Sequence, residues 1–126
     1  MKKMYILAGV ALLALSLGAC GSSNGMSSRE AGIRKAQEGK SPAEIETMFY
    51  TAIDTNAASY ISHEDALTNG QYVCSAMNAN IAVGDVIAWL RGNLNNPANA
   101  VLIATVGAAS FCPSNYPVVM DWVDSQ

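Results

Sequence analysis

Apolar residues recur at helical spacing along most of the chain after residue 41. Ser41 and Glu44 have the spacing of a capping box, and the apolar positions behind them predict a helix over about 41–54. Ser62 can cap a second helix that ends near Asn78. No stretch alternates with the two-residue period of a half-buried strand, so we predict an all-α fold. The predicted inward positions of these two helices are Ile45, Met48, Phe49, Ala52, Ile53, Leu67, Gly70, Val73, Cys74 and Met77.

Two further helices complete a compact small bundle of about four short helices. The third covers about 82–92, where Gly92 ends it, and the fourth starts at Asn96-Pro97 and stops before Pro113. Residues 117–126 continue at helical spacing, and they either pack back on the domain or present an apolar contact to a partner. The predicted buried face of the fourth helix holds Val101, Ala104, Thr105, Ala108 and Cys112. The candidate partner surface consists of Trp89, Trp122 and Val119.

The N-terminal segment has the layout of an export signal. Two lysines precede an apolar run that ends in LGAC at 17–20, and this run is shorter than the roughly 20 residues that cross a bilayer as a helix. LGAC resembles the bacterial lipobox, which implies that residues 1–19 are removed and that Cys20 carries acyl chains. An ordinary signal peptide with an incidental cysteine is the alternative. We therefore expect an exported protein that is lipid-anchored to the cell membrane or envelope.

Charge divides the remaining chain into a tether and an acidic domain. Residues 20–40 are predicted to be the lipidated cysteine and a flexible tether, in which 21–28 are mostly Gly, Ser and Asn. Within the tether, 29–40 carry four basic and two acidic groups, which is typical of a solvated spacer and could also touch anionic headgroups. Residues 41–126, the predicted helical domain, set eight acidic groups against Arg91 alone. Nucleic-acid binding needs a basic footprint, so we exclude that class.

The chemistry-bearing side chains of the domain are few. Cys74 and Cys112 both fall on predicted inward faces, and two cysteines in an exported chain favour a disulfide over a metal site. His63 stands beside Glu64 and Asp65, but neighbours on a helix point about 100° apart, so the three side chains do not converge. We therefore expect no metal, no cofactor and no enzymatic activity.

Three short segments carry a resemblance to a known family: Met48-Phe49, Gly70–Cys74 and Ala108–Pro113. They resemble the actinobacterial domain of unknown function family 732, found in small exported proteins of mycobacteria and their relatives and in some of their phages. The resemblance covers about 45–115 and implies a compact helical domain with a disulfide between its two cysteines, but no activity. Where the family usually has Gly after the second helix, this chain has Asn80, which also tolerates the left-handed conformation.

Two functions from different classes fit these features. The first, which we favour, is a non-enzymatic envelope lipoprotein whose acidic helical domain contacts another envelope protein. If a phage encodes it, the specific version is a lysogen-expressed surface protein that acts in superinfection exclusion. The second is a carrier whose aromatic and methionine side chains line a cavity for a small ligand, lipid or haem. We favour the first because such residues at helical spacing are more often core.

Overall fold

The computed structural model describes residues 27–126, and it is all-α over that range, with no strand. The predicted signal peptide and Cys20 lie outside the described residues. Between residues 27 and 126, no helix has both the length and the apolar character needed to cross a bilayer. The helices are α1 Ser28–Gln37, α2 Pro42–Asn56, α3 His63–Asn78, α4 Val83–Asn93, α5 Ala100–Phe111 and α6 Tyr116–Asp124, with short 3-10 turns at Pro97–Asn99 and Pro113–Asn115.

The predicted caps fix the starts of α2 and α3. The Ser41 hydroxyl accepts the Glu44 N–H at 3.2 Å, while the Glu44 carboxylate accepts the Ser41 N–H at 2.8 Å. This second bond is the main cause that lowers the pKa of Glu44. Ser62 caps α3 by accepting the Asp65 N–H at 3.1 Å. After α3, Asn80 has φ 67°, so the expected left-handed residue is confirmed at this helix end.

Helix α5 lies at the centre of the bundle. It contacts each of the other five helices, and ten of its 12 residues are buried. The prediction that only one face of this helix is inward is therefore wrong. Its small and apolar residues suit burial on every side, and a helix that is apolar all round is a core helix. The buried residues are Ala100 and the run 102–110.

Helices α3 and α5 cross with their backbones in contact. A Cβ atom built on Gly107 would lie 2.9 Å from both the Cα and the carbonyl oxygen of Gly70. A Cβ on Gly70 would lie 2.9 Å from the ring of Phe49. The centroid of that ring is 5.0 Å from the centroid of the Phe111 ring. Only glycine allows this approach, because every other residue carries a Cβ.

The C-terminal residues pack back onto the domain as α6. Its inward stripe consists of Tyr116, Val119, Met120 and Val123, which are all buried. These positions follow the three- and four-residue spacing of one helix face. Of the two alternatives for residues 117–126, packing is the one observed.

The predicted solvated spacer is instead a docked helix, so that prediction is wrong for 28–37. Ile33 of α1 is only 1% exposed. The Gln37 side-chain amide donates to the carbonyl oxygens of Ala109 and Ser110, at 2.9 and 3.1 Å. Carbonyls in the last turn of a helix have no partner within that helix, so these bonds satisfy groups that the end of α5 leaves open. Helix α1 therefore belongs to the folded unit.

Candidate functional site

The two cysteines of the domain are bonded to each other. Cys74 of α3 and Cys112 at the end of α5 form a disulfide with a Cα–Cα distance of 5.7 Å, which confirms the predicted pair. The bond lies beside the glycine crossing, where the Cys74 sulfur is 3.7 Å from the Gly107 carbonyl oxygen. Both cysteines are buried, and since each sulfur is bonded to the other, neither is a thiolate nucleophile. The bond pins the α3–α5 crossing.

Two of the three residues of the predicted partner surface are accessible to solvent. Trp89 of α4 is 42% exposed, and Trp122 of α6 is half-buried. Val119 was predicted to belong to the same surface, and this prediction is wrong because Val119 is fully buried in the inward stripe of α6. Its neighbour Val118 is 50% exposed instead. Two adjacent valines point about 100° apart on a helix, so only one can lie outside.

The two tryptophans flank the outer side of α4. Trp89 stacks on Tyr72 of α3, with ring centroids 3.9 Å apart. From the other side, the Trp122 indole nitrogen lies 3.2 Å from the Cβ position of Gly84. Between them, α4 presents three small residues, of which Ala88 and Gly92 are exposed and Gly84 is half-buried, and one exposed carboxylate. We call this surface the α4 face, and it consists of Gly84, Asp85, Ala88, Trp89 and Gly92 with Trp122 from α6.

The only histidine of the chain pairs across two helices rather than with its neighbours. The His63 Nε2 atom lies 2.9 Å from Oδ2 of Asp54 on α2, and both side chains are about half exposed. The imidazole also stacks on the Tyr50 ring, with centroids 4.1 Å apart and the planes nearly parallel. Tyr50 in turn donates its hydroxyl proton to Glu46 at 3.1 Å. As expected, Glu64 and Asp65 do not join His63, since neither contributes to this group.

This polar group joins α2 to the start of α3, and its chemistry is limited. Burial, followed by the hydrogen bond to Glu46, raises the pKa of Tyr50, so its phenol is a weaker acid than that of an ordinary tyrosine. Within residues 27–126, no group of three or more His, Cys, Asp and Glu side chains is placed to hold a metal ion. The sequence analysis did not predict the contacts of His63 with Asp54 and Tyr50. The only signal was that Glu46, Tyr50 and Asp54 follow one another at four-residue steps on one helix face.

A crevice lies where α1 meets α2 and the end of α5. Ile33, Gln37, Ile45, Met48 and Ser110 contribute to its lining, and its volume is about 10 Å³. That is room for about one water molecule, whereas small-molecule sites measure roughly 300–1,000 Å³. This crevice therefore gives no support to a lipid or haem carrier.

The comparison with known proteins places the domain in a family. The model of the family described as "Protein of unknown function (DUF732)" matches residues 43–114. The chain belongs to the DUF732 family. The matched segment runs from the first turn of α2 to the turn after Cys112, so it includes both cysteines and the glycine crossing, while α1 and α6 lie outside it. No curated protein and no solved structure matches the chain.

Proposed function

We propose that this DUF732 protein is a membrane-anchored lipoprotein of the cell envelope whose helical domain is a non-catalytic interaction module. The anchor rests on the LGAC sequence at 17–20, in which Cys20 would carry acyl chains. Two or more acyl chains hold a protein stably on a membrane, where a single chain gives only marginal binding. Neither the anchor nor the domain, in this proposal, performs a reaction.

The α4 face is the proposed partner surface, and the exposure of Trp89 is the observation that carries it. A tryptophan that is 42% exposed on a rigid helix presents a large apolar side chain at little entropic cost on binding. Ala88 and Gly92 beside it are small and exposed, so a partner helix could approach the backbone of α4 closely. Trp122 borders the same approach from α6.

Charge indicates the kind of partner that this face fits. Asp85 lies on the α4 face itself, and residues 41–126 carry eight acidic groups against one basic group, Arg91, which is also exposed on α4. Complementary charges guide association and exclude like-charged partners. We therefore propose an envelope protein with an apolar helix bordered by basic side chains.

Site-specific photo-crosslinking in the native cells tests this proposal. A photoreactive residue in place of Ala88 is expected to give a discrete crosslinked product, which disappears when Trp89→Ser is added. The matched control places the same residue at Thr51, an exposed position of α2, and is expected to give none. Equal products from both positions, or a product that survives Trp89→Ser, would refute the α4 face as the partner surface.

The more specific version of the proposal is a lysogen-expressed protein that acts in superinfection exclusion. It is supported by the resemblance of the chain to proteins of mycobacteria and their phages and by the proposed surface location. Its test compares a lysogen that carries the gene with one that lacks it. Equal resistance of the two strains to related phages would remove this version and leave the anchored interaction module intact.

A further inference from the structure

The basic residues of the described chain are concentrated in one segment of the sequence. Four of the five lysines and arginines among residues 27–126 lie in 29–40, and the fifth is Arg91. Because Ile33 is buried and Gln37 is bonded to α5, α1 is part of the domain surface. The positive charge of this segment therefore has a fixed position on an otherwise acidic molecule.

Two of the four basic groups are already paired, and two are presented to solvent. Arg29 lies 3.0 Å from Asp124 of α6, and Arg34 lies 2.8 Å from Glu30 within α1. Lys35 is exposed and takes part in no ion pair among the described residues. Lys40 is also exposed and takes part in no ion pair among the described residues. Its positive charge contributes, as the smallest cause, to the lowered pKa of Glu44. The remaining carboxylate of this segment is Glu38, which is also exposed.

The position of α1 also sets the distance between the domain and the proposed anchor. Only residues 21–27 separate Cys20 from the start of α1 at Ser28. Eight Cα–Cα steps span at most about 28 Å, even when fully extended. A tether that continued to residue 40 would allow more than twice that distance. Because α1 is docked, its start stays within about 28 Å of any membrane that holds Cys20, which brings its basic residues within reach of the surface.

We propose that α1 and the residues just after it form a membrane-contact element, in which Lys35 of α1 and Lys40, three residues beyond its end, seat the domain on the anionic bilayer that carries its anchor. This inference rests on the proposed anchoring at Cys20. Negative headgroups attract basic side chains only within about a Debye length. A short tether therefore increases the attraction that two lysines can contribute, because it raises the time that they spend near the headgroups. The acidic remainder of the domain is repelled by the same surface, which favours the orientation with α1 toward the lipid.

Hydrogen exchange of the acylated full-length mature protein on vesicles tests the contact. The protein is placed on vesicles of phosphatidylcholine alone and on vesicles that also contain phosphatidylglycerol. We expect exchange of the amides in 28–40 to slow severalfold on the anionic vesicles at low salt, and the amides of 83–93 to be unchanged. High salt should remove the difference.

Two charge reversals complete the test. Lys35→Glu is expected to abolish the slowing, while Arg91→Glu, the matched reversal at another exposed position, should leave it in place. Equal exchange of 28–40 on both kinds of vesicle, or the same loss in both variants, would overturn the proposal while the anchor stands. If the protein instead leaves vesicles of either composition as readily as Cys20→Ala does, the proposed anchoring itself fails.

Discussion

Replacing Gly107 by alanine tests the backbone contact that organises the domain. The added Cβ would lie 2.9 Å from the Cα and the carbonyl oxygen of Gly70, where ordinary van der Waals contact begins at 3.4 Å. Because these atoms are backbone, no side chain can rotate away, and α3 must move from α5 against the disulfide. Overpacking of this kind costs about 1–3 kcal/mol, and the rigid neighbour places this site near the upper value. Because alanine has a higher helix propensity than glycine, the substitution also stabilises the helix by up to about 1 kcal/mol. We therefore expect the free energy of unfolding to fall by about 2 kcal/mol in total.

Gly92→Ala is the matched control for this prediction. Gly92 lies in the last turn of α4, and a Cβ there meets nothing within 4 Å. The free energy of unfolding should rise by a few tenths of a kcal/mol to about 1 kcal/mol, because only the propensity gain remains. Urea unfolding of the oxidised protein, followed by circular dichroism, measures both variants. If Gly107→Ala is as stable as the parent or more stable, the contact with the Gly70 backbone does not exclude a side chain at position 107.

Three further predictions concern the disulfide, α6 and pH. Replacing both Cys74 and Cys112 by serine should lower the free energy of unfolding in urea by about 4 kcal/mol, the chain-entropy value for their separation of 38 residues. Val119→Ala should cost about 2 kcal/mol in the same assay, and Val118→Ala less than about 0.5, because only Val119 is buried; equal losses would contradict the packing of α6. Burial raises the pKa of Tyr116 to about 12, so the unfolded chain loses this proton first as the pH passes 10. Stability should therefore fall by about 2 kcal/mol from pH 10 to 12, and Tyr116→Phe should remove that part of the fall.

Local signals in the sequence were sufficient to predict the central helices and their link. The capping box at Ser41 and the cap at Ser62 each depend on residues three apart, so both helix starts are visible without tertiary information. The disulfide followed from the inward phase of Cys74 and Cys112 in two periodic segments. The helix starts are encoded within single segments, and the disulfide joins the only two cysteines of residues 41–126, so both could be predicted without knowing how the helices pack.

The elements that were predicted wrongly depend on contacts between distant parts of the chain. Helix α1 has one strongly apolar side chain, and its docking needs the open carbonyls at the end of α5, which no local pattern shows. Val119 was placed outside because the phase of a nine-residue helix cannot be fixed by two adjacent valines. The full burial of α5 likewise depends on neighbours that surround it, not on its own periodicity.

The candidate site shows the same division. Trp89 was predicted to lie on a surface that a partner could contact, and its side chain is 42% exposed. His63 and Asp54 lie on different helices, which the loop at 57–62 separates in sequence. The residues next to His63 in the sequence gave no sign that the two side chains pair. A four-residue repeat of polar side chains on α2 was the one local signal, and it fits a solvent-exposed face equally well.

The intact mass of the protein extracted from its native membrane, before and after reduction, tests the lipid anchor and the disulfide most directly. We expect the mass of residues 20–126 plus acyl groups, with an increase of two hydrogens on reduction. A Cys20→Ala variant should lack the acyl mass. An unmodified chain with free thiols would contradict both the proposed lipid anchor and the disulfide that pins α3 to α5.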